Sequence, residues 1–127
     1  MEMDKKPVIA IVDDDQSARE GIVDLVFSMG FEALEFERAE DFLRSHEIAR
    51  ADCLITDIRM PDMNGLELLE RLLAAGKSIP AIVLTAFTQE ADRVRALRAG
   101  AVCYMPKPVH ESELMKCISA ALSSDSL

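Results

Sequence analysis

Five short apolar runs, each followed after a turn by a segment of helical periodicity, restrict what this chain can fold into more than any other feature. Val8-Ile9-Ala10-Ile11-Val12 is continuous and rich in β-branched residues, as suits a strand buried on both faces. Gln16 to Met29 then repeats apolar residues at Ile22, Leu25, Val26 and Met29, one face of a helix, and Gly30 ends it. The stretch "FEALEF" alternates as a half-buried strand, and Ala39 to His46 predicts a short helix with Phe42 and Leu43 inward. Cys53 to Thr56 predicts a third strand, followed from about Leu66 to Ala75 by a helix with Leu66, Leu69, Leu72 and Leu73 inward, ended by Gly76. Ala81 to Leu84 and Val102 to Met105 predict the last two strands. Helices follow them over Gln89 to Ala99, with Ala91, Val94 and Leu97 inward, and over Glu111 to Leu122, with Leu114, Ile118 and Ala121 inward. Parallel neighbours need crossovers, and helices on both faces supply them. A doubly wound α/β fold with a five-stranded parallel sheet is therefore the economical architecture.

At 127 residues the chain fits a single domain, with no internal repeat, and the terminal "SSDSL" (residues 123–127) reads as a polar tail or the start of a linker. A formal net charge of −9 leaves no basic surplus to release counterions from a phosphate backbone, so nucleic-acid binding by this domain is not expected. Cys53, Cys103 and Cys117 are odd in number and have neither metal-site nor disulfide-framework spacing, which suits reduced thiols in the cytoplasm. No apolar run approaches the ~20 residues that span a bilayer, and "MEMDKKP" lacks the apolar core of a signal peptide, so no membrane association is expected.

The polar residues at the carboxyl ends of the runs carry the chemistry. The first run ends in Asp13, Asp14 and Asp15, the third in Asp57, the fourth in Thr85 and the fifth in Lys107. In open α/β sheets those ends share one rim, where ligands bind. Carboxylates gathered there raise one another's pKa, and a divalent cation reverses that cost. Oxygen donors without His or Cys suit Mg²⁺, which keeps several waters and binds few carboxylates plus a phosphate. The rim therefore reads as a metal and phosphoryl site. Asp15, one place further on, reads as the cap of the first helix. His46 and His110 match no ligand spacing and are expected at the surface, and Met29, Met60, Met63, Met105 and Met115 are expected to fill gaps in the packing.

Taken in order, "IVDDD", "ITDIRMPDMNG", "LTA" and "YMPKP" resemble the receiver domain of two-component response regulators over about Pro7 to Leu122. The resemblance implies a flavodoxin-like sheet of strand order 2-1-3-4-5. It makes Asp57 the phosphoacceptor, with Asp13, Asp14, Asp57 and the backbone carbonyl of Arg59 holding Mg²⁺, or Mn²⁺ in its place. Thr85 is implied as a hydrogen-bond donor to the phosphoryl group and Lys107 as its positive charge. Thr85 and Tyr104 become the switch, acting on the surface of the fourth helix, fifth strand and fifth helix, and the Lys107-Pro108 bond is implied to be cis. Arg59 and Phe87 flank the approach of water and are expected to tune phosphoryl lifetime, while small Ala86 leaves the acceptor accessible. A sensor histidine kinase or phosphotransfer protein is the implied donor, and a phosphorylation-promoted homodimer through the switch surface is expected. "TDIRMPDMNG" with "SIPAIVLTA" resembles the FixJ-type subgroup, whose receivers usually precede a helix-turn-helix domain. The sequence leaves open a single-domain regulator acting through protein contacts. A receiver-like module that no longer accepts phosphate fits less well, because Asp13, Asp14, Asp57, Thr85 and Lys107 are all present. An aspartate-nucleophile phosphatase would need a second Asp at position 59, where the chain has Arg.

Overall fold

A computed structural model describes residues 6–123. The strands are β1 (Val8–Val12), β2 (Glu32–Phe36), β3 (Cys53–Asp57), β4 (Ala81–Thr85) and β5 (Ala101–Pro106). The helices are α1 (Gln16–Ser28), α2 (Ala39–Arg44), α3 (Gly65–Ala74), α4 (Glu90–Arg98) and α5 (Glu111–Ser123), with a 3-10 turn at Ile48–Arg50 before β3. All four strand pairings are parallel, in the order β2-β1-β3-β4-β5.

The side-chain alternation of a strand divides the core into two layers. Ala10 and Val12 of β1 face Phe42 of α2, Leu66, Leu69 and Leu72 of α3, and Ala96 of α4. Ile9 and Ile11 face Ile22 and Val26 of α1 and Leu114, Ile118 and Ala121 of α5. Leu114 and Ile118 are fully buried, and each such side chain contributes on the order of 1.5–3 kcal/mol by leaving water. Asp15 caps α1 by accepting from the Ser17 and Ala18 amides, as its position predicts. Two residues past the end of α1, Gly30 has a φ of 91°, which suits a residue without Cβ.

The helix faces differ from expectation at several positions. Leu73 of α3 is 58% exposed and Leu97 of α4 is 42% exposed, and Ala91 also lies at the surface. The α4 helix instead turns Ala96 toward the sheet, with Ala99 buried just beyond its end. It has so few large apolar residues that close approach through alanines, rather than a leucine stripe, determines its orientation. Met115 is likewise 38% exposed rather than packed, whereas Met63 is buried. His46 and His110 lie at the surface. Among the described residues no helix is long and apolar enough to cross a membrane.

Candidate functional site

Parallel register brings the carboxyl ends of β1, β3, β4 and β5 to one rim. Val12 pairs with Thr56, Asp57 with Leu84, and Thr85 with Pro106, so Asp13, Asp57, Thr85 and Lys107 all emerge there. Asp13 is buried and Asp14 more open, and each of Asp13, Asp14 and Asp57 offers an oxygen within 4.8 Å of the others'. Lys107 Nζ donates to Asp13 Oδ2 at 2.8 Å and lies 3.3 Å from Asp57 Oδ2. Its ammonium bridges the two carboxylates that like charge would otherwise push apart.

The electrostatics follow from this crowding. Burial raises the Asp57 carboxyl above its ordinary range; Lys107 pulls it down, Asp13 pushes it up again, and the net direction is upward. For Lys107 burial works to lower the pKa, but the hydrogen bond and charge of Asp13, joined by Asp57, outweigh it and leave it raised. A cluster of carboxylates with no His or Cys is the donor set of a hard divalent cation, and these residues fit Mg²⁺.

Local backbone chemistry aims Asp57. Its Oδ1 accepts the Ile58 amide at 2.8 Å, and its carbonyl accepts the Thr56 hydroxyl at 2.9 Å. The loop after it turns at Asp62, which has a φ of 66°, and closes through a bond from the Gly65 amide to the Ile58 carbonyl at 2.9 Å. Asn64 and Glu67 form a reciprocal capping box, each accepting the other's amide at 2.9 Å. A Cβ on Gly65 would stand 2.0 Å from the Asp57 carbonyl oxygen, so only glycine lets α3 begin against the acceptor.

The remaining residues ring the acceptor. The buried Thr85 hydroxyl donates to the Phe87 carbonyl and accepts the Phe87 amide, both at 3.2 Å, and so faces its own loop. The Arg59 guanidinium lies 5.8 Å from the centroid of the Phe87 ring, a cation–π contact linking the loops after β3 and β4. Ala86 is exposed and lines an apolar groove with Ser17, Gly21, Leu25 and Pro108 beside Lys107. The Tyr104 hydroxyl accepts the Gln89 amide at 3.0 Å and donates to the Gln89 carbonyl at 3.3 Å, tying β5 to the start of α4. The Lys107-Pro108 peptide is cis.

Two residues that sequence patterns passed over frame the site. Gly65 could be suspected from its place at the start of a helix, where glycine has little intrinsic reason to be. Arg19 stands four residues after the Asp15 cap, one helical turn above the acidic turn, and donates to the Asp13 carbonyl at 2.6 Å. The Arg19 contact has no sequence signature of its own.

The family model for the response regulator receiver domain matches residues 9–119. The response regulator protein TodT of Pseudomonas putida is 39% identical over 119 residues, which is 94% of this chain and 52% of TodT. The solved structure of the response regulator StyR aligns with a TM-score of 0.87 at 40% identity, covering 96% of this chain and 62% of StyR. That of FixJ-N aligns with a TM-score of 0.86 at 34% identity, covering 94% and 95%. The chain spans about half the length of the curated relatives it matches.

Proposed function

The chain belongs to the response regulator receiver domain family, and from that premise we propose that Asp57 accepts a phosphoryl group from a histidine kinase or phosphotransfer protein. The observation that carries this reading is the convergence of Asp13, Asp14, Asp57 and Lys107 at one rim. The Asp57 carboxylate attacks phosphorus as the P–N bond to the donor imidazole breaks, giving an acyl phosphate and a neutral histidine. Positioning and charge neutralisation do most of the work in such a transfer. Asp13, Asp14, Asp57 and the Arg59 carbonyl would hold Mg²⁺ or Mn²⁺, which would offset the negative charge of the carboxylates and phosphoryl oxygens. Lys107, released from Asp13, pairs with the new phosphoryl oxygens. Thr85 exchanges its bond to Phe87 for one to the phosphoryl group.

That exchange loosens the loop leading into α4, whose N-cap residue Gln89 is held by Tyr104. Thr85 and Tyr104 thereby couple the acceptor to the α4-β5-α5 surface, on which the phosphorylated protein forms a homodimer. The Arg59–Phe87 contact spans the path of water and tunes the lifetime of the phosphoryl group, and exposed Ala86 leaves room for the donor. The unit is a single receiver with its core over about residues 7–122, acting in the cytoplasm without binding nucleic acid or membrane. The FixJ-type resemblance supports control of transcription as the output of a whole protein that carries it. Incubation with acetyl phosphate and Mg²⁺ should add one phosphoryl group, read as a mass increase, and Asp57→Asn should abolish it with the fold retained. Undiminished incorporation in Asp57→Asn would exclude Asp57 as the acceptor.

A further inference from the structure

The turn that carries Asp13 and Asp14 is tied down group by group. The Asp13 amide donates to the Phe36 carbonyl at 3.1 Å, and its Oδ1 accepts the Asp15 amide at 2.9 Å. The Asp13 carbonyl is held from α1, where Arg19 Nη1 donates to it at 2.6 Å. The same guanidinium turns its Nε to Glu35 Oε1 of β2 at 3.2 Å, and the Arg19 side chain is only 14% exposed. The guanidinium is largely covered while Glu35 stays about half exposed, so the ion pair is partly screened by solvent and the bond to the Asp13 carbonyl fixes the direction of the group.

The consequence lies in the peptide plane. The Asp13 carbonyl and the Asp14 amide belong to one rigid unit, so gripping that oxygen fixes how the plane is rotated. The rotation in turn sets the direction in which Asp14 leaves the backbone. Glu35 has a second effect: it pairs with a cation that grips the backbone of Asp13 and would otherwise repel a metal ion bound there. Holding the Asp13 carbonyl through Nη1 and Glu35 through Nε at once uses two donors that diverge from a single planar group, which lysine does not have.

We propose that Arg19 is a positioning residue for the cation site, with Glu35 anchoring its guanidinium so that the Asp13-Asp14 peptide presents both carboxylates toward Asp57. This rests on the proposed function, in which those three aspartates hold Mg²⁺. The test is calorimetric titration of the full chain with Mg²⁺, beside thermal unfolding of the same proteins in chelator. Arg19→Met should weaken Mg²⁺ binding by about tenfold, as loss of a partner that orients metal ligands commonly does. Arg19→Lys should fail to restore it, and Glu35→Gln should give a smaller loss in the same direction. A purely structural role would lower the metal-free unfolding temperature and leave the folded protein's affinity unchanged. Folded Arg19→Met binding within about twofold of wild type would therefore overturn the inference, since orienting partners are worth more than that. Should Arg19→Met not fold, Glu35→Gln decides: affinity equal to wild type overturns the proposal and weakened affinity supports it. Wild-type protein that binds no Mg²⁺, or Asp14→Ala that binds as wild type does, overturns the cation site itself and the inference with it.

Discussion

In the metal-free protein, ionising Asp57 is opposed by burial and by Asp13 more than Lys107 favours it. A carboxyl whose folded pKa lies above its unfolded one binds its proton more tightly in the native state. Its contribution to stability therefore falls as pH rises from the ordinary carboxylate value to the raised one. Asp57→Asn should accordingly raise the unfolding temperature in chelator at neutral pH. The gain should vanish below the ordinary carboxylate range, where wild-type Asp57 is protonated in both states, and thermal unfolding at the two pH values checks this. Lys107 works in the other sense: its raised pKa stabilises the fold below the ordinary lysine value, and the benefit is lost as pH rises through the folded value. Gly65 makes a steric prediction. Because the atoms a Cβ would strike are the backbone of Asp57 itself, Gly65→Ala should cost about 1–3 kcal/mol in denaturant unfolding and slow phosphorylation of the folded fraction.

The α4 helix illustrates what decides the placement of an element. Of its charged residues, Arg93 pairs within the helix with Glu90, and Arg95 reaches α3 in a two-pronged pair with Glu70 at 2.7 and 2.8 Å. Its fully buried residue on the sheet side is Ala96. Ala96→Leu should therefore overpack the junction and cost about 1–3 kcal/mol. Truncating the partly exposed Leu97 to Ala should cost under about 1 kcal/mol, since far less surface returns to water. Chemical denaturation of the two variants separates this docking from one with Leu97 inward, which requires the reverse order. A helix held by so small an apolar contact, with Tyr104 bonded to its N-cap Gln89, is an element that a change at Thr85 can shift at low cost.

At the scale of the whole molecule, the surface proposed for dimerisation carries charges of both signs. Arg93 and Arg95 of α4 are already paired within the protomer, leaving less of the basic charge to face Glu111 and Glu113 of a second copy. Exposed pairs contribute about 0.2–1 kcal/mol each. Protein carrying a beryllofluoride mimic at Asp57 with Mg²⁺ should thus dimerise more strongly than apo protein, by a modest margin that shrinks with salt. Sedimentation at two ionic strengths, with and without the mimic, measures both effects. A monomer under all four conditions would assign the face to a different partner.

The strands, the sheet class and the rim were legible in the sequence because each rests on local, cumulative signals. Val8–Val12 cannot be half-exposed without a large apolar cost, and once five such runs alternate with helices, parallel pairing gathers Asp13, Asp57, Thr85 and Lys107 whatever the details between them. Asp15 was legible for the same reason, since a cap acts on amides two and three residues away. The tertiary structure decided what depends on where one element lands on another. The inward face of α4 depended on how closely alanines let it approach β5, and the need for glycine at position 65 on how α3 meets the Asp57 backbone. The grip of Arg19 required α1, β1 and β2 to converge on one guanidinium. A contact between residues 19 and 35 leaves no periodic trace along the chain, and only folding brings the two groups within reach.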